Sequence, residues 1–141
     1  MKHTRALVAV AALVWPGTVV AQGPTPLERA VDRAREAWLD HDLRGLVRHS
    51  DTVRLQLPGV GRSPSVRPSQ AARVLGDYLR IAEEVTLRLR RIRAVSDDHA
   101  YAELVRIYVV QGTRDERVET IFLGFRRIDG IWGLREVRIT R

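Results

Sequence analysis

From Thr86 to Thr140 the chain consists of four runs of strand-like period separated by three short turn signals, and an antiparallel sheet is the arrangement that satisfies such a pattern. The runs are Thr86 to Val95, Ala100 to Gln111, Glu116 to Ile128 and Ile131 to Thr140. Asp97-Asp98-His99 and Gly112-Thr113-Arg114-Asp115 supply two turns, and Asp129-Gly130 is a tight hairpin signal. Two of the runs change phase part-way. Leu87 and Leu89 are followed by Ile92 and Ala94, and Trp132 and Leu134 by Val137 and Ile139. Each slip predicts a β-bulge, the first near Arg90-Arg91, and bulges in long strands bend a sheet strongly.

The two middle runs are apolar on both faces. Val105, Ile107 and Val109 oppose Leu104, Tyr108 and Val110; Ile121, Leu123 and Phe125 oppose Val118 and Phe122. A sheet covered on one side alternates apolar with polar, so the second face calls for a cover of its own. The expectation is a two-fold homodimer through the sheet. The alternative is that curvature and the loop after Pro58 cover that face.

Helices precede the strands. Thr25 as N-cap, Pro26 at the first helical position and Glu28 closing a capping box start a helix that runs to about Asp40, with Leu27, Ala30, Val31, Ala34, Ala37 and Trp38 on one side. Asp42 caps a short second helix carrying Leu43, Leu46 and Val47. Thr52 to Leu57 alternates as a strand, Pro58 to Pro68 reads as a mobile loop, and Ser69 to Glu83 as a third helix burying Ala72, Leu75, Leu79 and Ala82 beside Tyr78. The fold class expected is therefore α+β, with N-terminal helices packed across a strongly curved antiparallel sheet to enclose a cone.

The N-terminus reads as a cleavable signal peptide over residues 1–21. Lys2 and Arg5 lead an apolar run from Ala6 to Trp15, Pro16-Gly17 breaks it, and Val19-Val20-Ala21 offers small residues before Gln22. The apolar run is shorter than the roughly 20 residues that span a bilayer, so no membrane anchor is expected. Residues 22–24 form a short leader and 25–141 a single domain, periplasmic or extracellular. The absence of cysteine from all 141 residues excludes a lipid-accepting Cys, a disulfide framework and thiol chemistry. Basic residues outnumber acidic ones 24 to 17, and Lys2 is the only lysine. That arginine excess is read as a solvated surface, with no nucleic-acid partner expected. Arg88, Arg90, Arg91 and Arg93 are its densest cluster and could dock an envelope polyanion.

The order of elements resembles the cone fold of the nuclear transport factor 2-like superfamily, to which ketosteroid isomerases and polyketide cyclases belong. Leu39-Asp40-His41-Asp42 through Val47, Ser69 to Leu79, and Ile131-Trp132-Gly133-Leu134 carry the resemblance. Val53 to Gly61 followed by the run from Ser69 is further similar to small exported bacterial domains of the type called domain of unknown function 4783. The resemblance implies a pocket between helices and concave sheet, used in various members for isomerisation, cyclisation, hydrolysis or binding. Its isomerases pair an aspartate base with a tyrosine and a second acid, and no such motif can be matched here.

Candidate pocket residues follow from chemistry and parity. Glu103 and Arg106 interrupt opposite faces of one strand, so one of them points inward, as base or as anion holder. The competing role for Glu103 is an ion pair with Arg88 or Arg90. Trp38, Tyr78, Tyr108 and Trp132 are candidates to line the cone, as core or as ligand contacts. No catalytic residue, cofactor or metal is assigned, because His41 and His49 with their neighbouring aspartates match no compact metal site. The leading expectation is a domain binding a small apolar or amphipathic ligand. The rivals are a small-molecule isomerase- or cyclase-like enzyme and an envelope interaction module with an arginine face.

Overall fold

The structure, a computed structural model, describes residues 16–18 and 22–141; the signal-peptide reading of residues 1–21 falls largely outside the described residues. Three helices and six strands follow in the order α1 (Pro26–Leu39), α2 (Leu43–Leu46), β1 (Arg54–Leu57), β2 (Gly61–Arg62), α3 (Pro68–Leu79), β3 (Ala82–Ala94), β4 (His99–Val110), β5 (Glu116–Ile128) and β6 (Ile131–Thr140). No helix among the described residues is long and apolar enough to cross a membrane.

One six-stranded sheet runs in the order β2-β1-β6-β5-β4-β3. Its four long strands are antiparallel neighbours, whereas β1 lies parallel to β6, with Leu55 opposite Val137. The sheet is thus mixed at one margin. The expected bulge near Arg90 is present as a register shift between Leu89 and Arg91, and a second shift falls between Glu84 and Thr86. The slip in the last strand lies at Arg135, where Gly124 pairs with Glu136 and Phe125 with Leu134. Asp129 and Gly130 both have positive φ, the requirement of a tight two-residue hairpin.

Three local expectations need correction. Pro58 to Pro68 is ordered along β1: β2 pairs with it, Val66 bridges Val53, and Ser63 Oγ accepts from Leu55 N. Helix α3 ends at Leu79, and Ala82 is buried as the first residue of β3. The spacing of Leu75, Leu79 and Ala82 suits a helix, but Ala82 to Glu84 find ladder partners in Val110 to Tyr108, and that pairing takes them into the sheet. Thr25 does cap α1 through Glu28 N, but its hydroxyl meets the Glu28 carboxylate, so the reciprocal bond of a capping box is not made.

The core sits between the helices and the concave sheet face. Val31, Trp38, Leu75 and Leu79 from the helices meet Leu104, Ile121, Leu123 and Val137 from the sheet, all fully buried. Arg106 belongs to this inward row, whereas Glu103 is on the other face.

Candidate functional site

At the end of the cone where α1 and α3 finish, β3 and β5 begin and β4 and β6 finish, four charged or aromatic side chains are drawn inside by strand parity. Arg106 and Glu119 are register partners on β4 and β5, and each side chain is 1% exposed. Arg106 Nη1 donates to Glu119 Oε2 at 2.8 Å, and its Nε donates to Glu84 Oε2 at 2.9 Å. The guanidinium also lies 4.0 Å from the centre of the Tyr108 ring and 5.6 Å from that of Trp38. Two phenols donate to the other oxygen of Glu119, Tyr78 at 2.7 Å and Tyr108 at 3.3 Å. His41, held at positive φ in the turn between α1 and α2, places Nε2 3.1 Å from Glu84 Oε1. Arg141 Nε stands 3.6 Å from Glu119 Oε1.

The electrostatics follow from this packing. Burial opposes the charge on Arg106, but its bonds to Glu84 and the nearby charges of Glu84 and Glu119 outweigh it, and the guanidinium is held above its ordinary proton affinity. Burial raises the Tyr78 phenol well above the usual range, with the Glu119 carboxylate adding to it; Tyr108 is raised by the same two causes. General acid–base catalysis needs a group near the working pH and room for a substrate proton. Here both phenols are shifted away from neutrality and Arg106 is committed to two carboxylates; of this network His41 alone borders one of the larger clefts, about 850 Å³ between the α1–α2 turn and the start of α3.

A separate cleft of about 250 Å³ lies between α1–α2 and the β5–β6 hairpin, running along α1 as far as its C-cap Asp40. Its apolar floor comprises Ala30, Ala34, Leu46, Phe125, Trp132 and Leu134, and its rim includes Arg33, Glu36, Asp40, Arg48 and His49. Arg127 stacks over the Trp132 ring with 5.6 Å from Cζ to the centroid. Gly133 shapes the wall: a Cβ there would collide with the His49 carbonyl, so only glycine lets the segment after α2 lie against β6. Asp42 is committed as the α2 cap, accepting from Gly45 N.

Of the six residues singled out from sequence, Trp38, Tyr78, Arg106 and Tyr108 come together at the charged end. Trp132 lies apart from them, in the cleft. Glu103 faces away from the cone: it sits on the outer face with both carboxylate oxygens taken by Arg90 and Arg91, and lines a shallow pocket there with Tyr101, Phe122 and Arg138. That is the ion-pair alternative, with Arg91 in place of Arg88. Glu84 and Glu119 complete the network and are not among those six. The signal for Glu119 was present, because closing the turn at Gly112 to Asp115 aligns it with Arg106.

No protein-family profile matches the chain, and neither does any curated protein. Solved structures do. A DUF4783 family protein from Bacteroides uniformis superposes with a TM-score of 0.65 at 11% identity, covering 78% of this chain and 94% of that one. A ketosteroid isomerase-like protein from Erwinia carotovora atroseptica gives 0.64 at 16% identity, over 79% and 90% of the two chains. An NTF-2 like protein of unknown function from Shewanella oneidensis gives 0.59 at 13% identity, over 82% and 97%. At these identities the likeness concerns architecture, and with the curved sheet and its covering helices it establishes that the chain has the nuclear transport factor 2-like cone fold.

Proposed function

We infer that this is a non-catalytic binding domain whose ligand is a small amphipathic molecule seated in the cleft between α1–α2 and the β5–β6 hairpin. The observation that carries this reading is the cleft itself: an aromatic and aliphatic floor of Trp132, Phe125 and Leu134 beneath a rim bearing both arginine and carboxylate. A volume of about 250 Å³ falls just below the range of roughly 300–1,000 Å³ for drug-sized sites, so the ligand is small. Its apolar body stacks on Trp132 and its polar end engages the rim. The signal-like pattern of the N-terminal residues supports the further proposal that this binding takes place in the cell envelope or outside it.

The enzyme reading is disfavoured by the charged end, whose buried groups Arg106, Glu84, Glu119 and Tyr78 are bonded to one another, with His41 alone of the network bordering a large cleft. The test is native mass spectrometry of the protein recovered from its host's envelope, beside a Trp132→Ala form prepared identically. A bound mass of small-molecule size on the wild type and its loss from the variant are expected. A wild type without any bound mass, or an adduct retained equally by a folded variant, would contradict the reading.

A further inference from the structure

The helical side of the molecule carries a cleft of about 850 Å³ between the α1–α2 turn, α2 and the first turns of α3. Its floor is apolar, with Leu43 and Val47 from the α2 segment against Ala72 from α3, and Val47 and Ala72 are both buried. Three guanidiniums dominate its polar lining, those of Arg44 in α2, Arg48 just after it and Arg73 in α3. A fourth, that of Arg67, lies in an adjoining pocket of about 390 Å³ that continues the cleft through Ser69 and Arg73, which border both.

These charges are not neutralised in place. Among the described residues Arg44, Arg48, Arg67 and Arg73 form no ion pair. Asp42 is the one carboxylate in the cleft lining, and it accepts from Gly45 N as the cap of α2. His41 borders the cleft but turns its Nε2 to Glu84. The first turn of α3 holds no acidic residue, so the helix adds to the positive potential rather than offsetting it. Other exposed arginines have a carboxylate at hand, as Arg80 has Asp77 and Arg117 has Asp115. Like charges gathered on the low-dielectric walls of a cleft focus their field into the space between them.

We propose that this cleft is a second binding site, which takes a phosphate monoester bearing a short aliphatic group. A guanidinium presents a planar fork to two oxygens at once, so several converging on one group need more acceptors than the two oxygens of a carboxylate. A phosphate monoester offers three strong acceptor oxygens and nearly two charges, and the apolar floor takes its aliphatic part. The volume of about 850 Å³ falls within the roughly 300–1,000 Å³ of small-molecule sites. A free ester and the headgroup of a phosphatidate lipid present the same chemistry. Arg44 and Arg73 do not border the Trp132 cleft, whereas Arg48 borders both, so substitutions at Arg44 and Arg73 test this site apart from the other.

Calorimetric titration of the full protein with butyl phosphate should show saturable binding. The double variant Arg44→Gln/Arg73→Gln, folded by circular dichroism because both positions are exposed, should weaken it by at least about tenfold through the loss of two charge-assisted contacts. Arg88→Gln/Arg93→Gln removes the same charge from the sheet and should leave the affinity within about twofold, since exposed charges at a distance are screened. Trp132→Ala should leave it unchanged, and butanoate should bind at least about tenfold more weakly than butyl phosphate. Phosphatidylcholine vesicles with and without phosphatidic acid separate the two sources. Pelleting that requires phosphatidic acid and is lost in the Arg44/Arg73 variant supports the site with a lipid headgroup as its ligand, and butyl phosphate binding without pelleting supports it with a free ester. Absence of saturable binding to butyl phosphate and to the vesicles alike, equal weakening by the two double variants, or butanoate binding as tightly as butyl phosphate would overturn the proposal.

Discussion

Arg106 and Glu119 are joined by a 2.8 Å hydrogen bond although each side chain is 1% exposed, and this pair, with Glu84, occupies the end of the cone where α1 and α3 finish. Two carboxylates against one guanidinium leave the trio with a formal excess of negative charge. Arg141, which stands next to Glu119, is placed to offset it, and His41 bonds Glu84. A buried ion network of this kind is weak evidence for stability in itself, but breaking it is strongly unfavourable because a partner is left charged and dry.

Arg106→Ala should therefore destabilise the protein by about 3–5 kcal/mol in urea denaturation. Glu103→Gln should cost about 1 kcal/mol or less, because its partners Arg90 and Arg91 are 60% and 68% exposed and screened by solvent. The contrast checks the division between an inner and an outer ion pair on the same strand. Equal losses in both variants would contradict it.

The tyrosines give a pH signature. The folded-state proton affinities of Tyr78 and Tyr108 are raised above the unfolded value of about 10, so the folded state favours their neutral forms. Their contribution is complete below about pH 10 and is lost as the pH rises from there through the folded values. Stability should thus be insensitive to these groups at neutral pH and fall in the alkaline range, and ultraviolet titration should show two phenols ionising late. Tyr78→Phe should remove one of the late ionisations and, at neutral pH, about 1.5–3 kcal/mol from the lost bond to Glu119.

Gly133→Ala should destabilise by about 1–3 kcal/mol, because the added methyl meets the His49 carbonyl, a backbone atom that cannot rotate away. Since His49 lies on the rim of the cleft, the same change should weaken whatever ligand the wild type retains. Thermal unfolding and native mass spectrometry read the two effects independently.

Much of the fold could be read directly from residue order. The strands β5 and β6 begin and end where alternation and the Asp129-Gly130 turn place them, and both phase slips mark real register shifts. These are local signals. What was not legible depends on partners distant in sequence: β1 lies parallel to β6 across some eighty residues, and Ala82 to Glu84 leave a helical period for the β4 ladder. A helical reading of this stretch hides Glu84, and with it half of the network around Arg106. Parity established that Glu103 and Arg106 face opposite ways, but which one faces the helices depends on the whole row, where Leu104 and Tyr108 accompany Arg106 inward. Size and apolar character alone group Trp132 with Trp38. The structure separates them, since Trp38 is wholly buried with its ring 5.6 Å from the Arg106 guanidinium, whereas Trp132 lines the cleft.

That separation offers the most direct test of the binding account. Trp38 and Trp132 are the tryptophans of the domain from Gln22 onward, and each contributes one indole N–H signal to a ¹⁵N correlation spectrum. Titration with small amphipathic compounds, such as aromatic carboxylates and short-chain amines, should move the Trp132 indole signal in a saturable manner and leave that of Trp38 in place. Saturable movement of the Trp38 signal with Trp132 unchanged would put the ligand at the charged end of the cone and contradict the account.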